Sequence, residues 1–113
     1  MKKFMVLYHA PAEVLRQSVM HNRDDEQKGM FAWMLWAQKC GSKLVDFGWP
    51  LINGVEITSA GEARDSGRDV TGYSIIQAES MEDARQLLAD HPHLAWNPLC
   101  SIEVHETLPL PVM

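Results

Sequence analysis

Five histidines carry most of the chemistry open to this sequence: His9, His21, His91, His93 and His105. Imidazole is the side chain that ordinarily titrates nearest neutral pH, so it suits proton transfer, anion binding and metal ligation. The densest arrangement is His91-Pro92-His93, which reads as the polar end of a helix. A helix C-terminus favours a charged imidazole, which makes His91 and His93 the candidate acid–base residues. The same segment serves equally as a helix stop, with proline beyond the last turn. As metal ligands the pair would need a third donor from a distant part of the chain, and neither a metal nor a cofactor is expected. Asp46 lies in the apolar run KLVDF, where a carboxylate is either paired or at an edge. It is the candidate partner of the histidines, with Tyr73 and Ser74 approaching from a neighbouring strand. Glu103 and His105, two residues apart on a strand, share a face. That face is either a solvated edge or a polar patch beside a cleft. The four tryptophans, Trp33, Trp36, Trp49 and Trp96, pack in a core or line an aromatic pocket. Trp36, Trp49 and Tyr73 are the candidate substrate-binding residues. Cys40 and Cys100 belong to no CxxC or metal pattern and read as buried reduced thiols of a cytoplasmic protein. A glycine-rich phosphate loop, a nucleophile elbow and a zinc-helix motif are all missing.

The elements that must position these residues follow from periodicity. KFMVLYH, residues 3–9, is apolar on both alternating faces, as in a strand covered on both sides. Pro11 opens a short helix over 12–20, with Val14, Leu15 and Val19 on one side. Asn22 or Asp24 caps a long helix that Gly41 ends. Its centre, MFAWMLWA, is apolar for two turns, more than one sheet face requires, so something besides the sheet should cover Trp33 or Trp36. A second strand covers 43–47 and breaks at Gly48-Trp49-Pro50. Asn53-Gly54 predicts a type I′ hairpin turn between Leu51-Ile52 and residues 55–58. Residues 59–69 form a polar, glycine-bearing loop. A strand over 70–78 leads to Ser80, the N-cap of a helix with the stripe Met81, Ala84, Leu87 and Leu88. The last strand covers 101–107, with Ile102 and Val104 inward.

Composition places this pattern in one domain. With 113 residues, 46% of them apolar, the chain can bury a core without disulfides or metal. A net charge of −5 argues against nucleic acid, which needs a basic stripe. The apolar run at 4–8 is too short for a signal peptide, and no run approaches a membrane span. The predicted order is βαββαβ, a ferredoxin-like α+β domain with a four-stranded antiparallel sheet and helices on one face. The other sheet face is apolar along the first strand, so a twofold homodimer stacking two sheets is expected.

Several stretches together resemble the YCII-related family of the dimeric α/β-barrel superfamily. They are KKFMVLYHAP, AWMLWAQKCGSKLVDFGWPLING, VTGYSIIQAESMEDARQLLADHPHL and SIEVHETLPLP, which cover nearly the whole chain. The resemblance implies a dimer with a cleft beside the long helix. Members of the family pair a helix histidine with the aspartate of an Asp-Pro step as a proposed acid–base dyad. Here the helix position falls near Phe31, without histidine, and the Asp-Pro position reads His91-Pro92. The family's dehydrochlorinase-type chemistry therefore does not carry over. Two functions stay open: a small cofactor-independent enzyme acting on an organic molecule in an apolar cleft, and a non-catalytic dimeric small-molecule-binding or accessory protein using the same cleft.

Overall fold

The computed structural model describes residues 1–18 and 23–111. His21, Asn22 and Val19 lie outside them, as does the side chain of Asp24. Strand β1 (Lys2–His9) is followed by α1 (Ala12–Ser18), α2 (Arg23–Cys40), β2 (Leu44–Asp46), β3 (Val55–Ile57), β4 (Ala63–Asp65), β5 (Val70–Ala78), α3 (Met81–Leu88), α4 (Pro92–Trp96) and β6 (Ser101–Glu106). The main sheet is four-stranded in the order β2-β5-β1-β6, with every neighbouring pair antiparallel. This α+β arrangement is compatible with the expected ferredoxin-like order.

Alternation along β1 sets the layers. Phe4, Val6 and Tyr8 are fully buried, and they meet Ser74, Ile76 and Ala78 of β5, Trp36 and Cys40 of α2, and Ala84 and Leu88 of α3. Met5, Leu7, Tyr73 and Ile75 point to the opposite face and are only half-buried. The molecule is 20 Å thick along its shortest axis, room for a sheet and one helix layer. Of the predicted stripe of α3, Ala84 and Leu88 are buried and Leu87 is partly buried, while Met81 is exposed. Ser80 Oγ accepts from Asp83 N–H at 3.2 Å. Gly41, at φ +56°, ends α2 in the left-handed region where a side chain is costly.

The hairpin differs from expectation. The tight turn does not form at Asn53-Gly54, because type I′ needs positive φ at both residues and only Asn53 has it, at +60°. Leu51 N–H donates instead to Thr71 O at 3.0 Å, which ties this segment to β5. The hairpin forms one step later. Strand β3 pairs with β4, part of the expected loop, around a turn closed by Thr58 N–H to Glu62 O at 2.8 Å. Arg64 clamps Glu56 across the two strands through 3.2 and 3.3 Å bonds.

The His91-Pro92-His93 segment also differs. It does not end a helix; it starts one. Helix α3 stops at Leu88, and His91 is the N-cap of α4, with Pro92 in the first turn. The expected attraction of a helix C-terminus for charged imidazole is therefore replaced by a helix N-terminus, which favours an acceptor.

Candidate functional site

A cleft of about 920 Å³ opens where α2, α4 and the beginning of β5 meet the Gly48-Trp49-Pro50 corner. Helix α2 presents Glu26, Gly29, Met30 and Trp33 to it, the i, i+3, i+4, i+7 spacing of one helical face. Its inner wall is a run of ring contacts. Phe47 and Trp33 are 6.0 Å apart between centroids, Trp33 and Tyr8 4.8 Å, Tyr8 and His93 5.3 Å, and His93 and Trp96 6.0 Å. All five rings line the cleft. Trp49, 73% exposed, completes the lining on the side of the corner, and Tyr73, on the open face of the sheet by its register in β5, borders the cleft where its carbonyl meets Gly48.

Two hydrogen-bond systems hold this wall. Ser74 Oγ donates to Phe47 O at 2.6 Å and so accepts from the Tyr8 hydroxyl at 2.8 Å. Burial raises the Tyr8 pKa, against the lowering effect of the Ser74 bond, so the phenol stays protonated and keeps its donor role. At the corner, Asp46 Oδ1 accepts from Gly48 N–H at 2.9 Å. Gly48 takes φ +82°, and a Cβ there would stand 1.7 Å from Tyr73 O, so only glycine lets the corner close against β5.

The two histidines have different environments. His91 is buried behind the wall, with centroids 4.3 Å from Trp36, 4.4 Å from Trp33 and 4.9 Å from Tyr8. Its Nδ1 accepts from His93 N–H at 2.9 Å, so the proton of the neutral ring is on Nε2. That Nε2–H has no hydrogen-bond partner among the described residues and packs among the surrounding rings. Burial, with the nearby His93 as a smaller cause, lowers the His91 pKa to about 3. His91 is thus a neutral N-cap. His93 lines the cleft itself. Its Nε2 donates to His9 O at 2.8 Å. Burial lowers its pKa, partly offset by backbone hydrogen bonds at His9 and Ser101.

Of the residues singled out in the sequence, the structure brings His93 and Trp49 together in the cleft, with Tyr73 only at its border, and places His91 directly behind them. It does not bring Asp46 to either histidine: its carboxylate is committed to the corner. Trp36 lies in the core, where its Nε1–H donates to Leu87 O at 2.9 Å. Trp33 takes the place in the cleft expected of Trp36. Met30, Phe31, Met34 and Leu35 are the apolar side chains of α2 left exposed. Tyr8 and Phe47 were missed, because strand alternation marks both as ordinary core.

On the open face, Glu103 Oε1 lies 2.5 Å from His9 Nε2, out of hydrogen-bond alignment, and its Oε2 is 2.9 Å from His105 Nε2. The His105 bond is the main cause of a lowered Glu103 pKa. These are the histidine–carboxylate contacts found among the described residues, and they lie across the sheet from the cleft. Among the described residues no group of three or more His, Cys, Asp or Glu could hold a metal ion, and no helix is long and apolar enough to cross a membrane. No family model matches the chain, and no curated protein matches it.

Proposed function

We propose that this chain is a small-molecule-binding protein whose ligand is an organic molecule with a substantial apolar body, held against the ring wall of the cleft. The carrying observation is the five-ring wall beside Gly29. A glycine inside a helix costs about 1 kcal/mol relative to alanine. A Cβ at Gly29 would meet nothing within 4 Å, so packing does not demand the glycine. Its effect is to leave the helix side of the cleft open. The volume lies in the range of small-molecule sites, which are mostly apolar with few polar groups.

The binding reading is preferred to the catalytic one because, among the described residues, no hydrogen-bonded acid–base pair lies in the cleft: Glu26 and His93 both line it without a contact between them. His91 is a neutral cap, and Asp46 holds the corner. The enzyme reading rests on His93, whose ring is in the wall. His93→Asn that abolished turnover of a bound compound without changing its affinity would establish it.

The proposal includes a homodimer formed through the open sheet face, where Met5, Leu7, Tyr73 and Ile75 make a half-buried apolar centre. The YCII-like resemblance supports the same dimer. A saturation-transfer screen of soluble neutral aromatic compounds tests the cleft. Hits should bind the parent, weaken at least about tenfold in Trp49→Ala, and vanish in Gly29→Leu, which fills the open wall. Hits that bind all three proteins equally would remove the cleft from consideration.

A further inference from the structure

The proposed binding cleft has a charge pattern that selects among ligands, and the following rests on that reading. Among its described lining residues, Glu26 supplies the only formal charge, and lysine and arginine are missing. His93 does not replace them, since burial holds its ring toward the neutral form. An anion entering this cleft would leave water without a cationic partner among the described lining residues, a costly transfer. A cation meets the opposite situation. Aromatic rings carry negative charge on their faces, and Trp33, Trp49, Trp96, Tyr8 and Phe47 all line the space. Glu26, exposed in the first turns of α2, adds a carboxylate on the helical face that carries Trp33.

We infer that the ligand is an amphipathic organic cation: an alkylated ammonium group held by the tryptophans and Glu26, attached to an apolar body that fills the rest of the cleft. The body is required because about 920 Å³ far exceeds what a small ammonium head occupies. A quaternary or tertiary ammonium fits better than a primary amine, since it is weakly hydrated and presents methyl groups to the rings.

Three probes of one shape test this: 4-(trimethylammonio)benzyl alcohol, its neutral isostere 4-tert-butylbenzyl alcohol, and the anion 4-tert-butylbenzoate. Calorimetric titration of the full chain should show the cation binding roughly tenfold tighter than the neutral isostere, and the anion weakest. Glu26→Gln should lose most of that ratio through the cation alone, with affinity for the neutral probe unchanged. Equal affinity for cation and neutral probe would overturn the cation assignment while leaving the apolar cleft standing. Tightest binding of the benzoate would overturn it as well. A ratio that survives Glu26→Gln would overturn the role given to Glu26. Failure of all three probes to bind would overturn the binding reading together with this one.

Discussion

The two faces of the sheet treat histidine in opposite ways. On the covered face, His91 and His93 pack against tryptophan and tyrosine rings, and burial pushes both toward the neutral form. On the open face, His9 and His105 flank the carboxylate of Glu103, whose own pKa falls. The residue type is the same, so the difference comes from what surrounds it. A helix layer excludes water and supplies rings; an uncovered strand leaves room for a carboxylate. The histidines beside the cleft therefore serve as cap and wall, while the imidazole–carboxylate contacts lie on the opposite face of the sheet.

The largest effect should separate neighbouring residues of β1. Phe4→Ala removes a fully buried ring from the covered face and should cost about 3–5 kcal/mol in denaturant unfolding. Met5→Asp, one residue on, should leave protomer folding nearly intact and abolish self-association in sedimentation. A monomeric parent at micromolar concentration would break the proposed role of the open face.

The next effect is pH dependence. A histidine near 6.5 unfolded and near 3 folded binds its proton more readily in the unfolded chain. Its stabilisation is complete above pH 6.5 and declines as pH falls toward 3. At pH 5 the loss should reach roughly 2 kcal/mol, at 1.36 kcal/mol per unit. His91→Asn keeps a capping acceptor without the titration and should flatten the curve between pH 6.5 and 5. An unchanged slope would show that another group sets it.

Ser74→Ala should cost about 1–3 kcal/mol, because it strands the buried Tyr8 hydroxyl and the Phe47 carbonyl together. The smallest change is Gly29→Ala. It should stabilise α2 by up to about 1 kcal/mol, since a Cβ fits there without contact. A lower melting temperature in that variant would mean that Gly29 serves packing after all.

Much of this architecture is local and was legible in the chain. Period-two alternation marks β1 and β5, Ser80 marks the start of α3, and Gly41 marks the end of α2, because strand pleat, capping and positive φ act within a few residues. Gly48-Trp49-Pro50 was recognisable as a break for the same reason. What the tertiary structure alone decided is which neighbour each side chain meets. Trp33 and Trp36 are nearly equivalent in sequence, yet packing of α2 against α3 sends Trp36 to Leu87 and leaves Trp33 in the cleft. Asp46 reads in sequence as a partner for the histidines, but a backbone N–H two residues away claims its carboxylate. Proline after His91 fits the end of one helix or the start of the next. The first makes a charged imidazole favourable and the second a neutral acceptor, and only the packed position of α4 chooses between them.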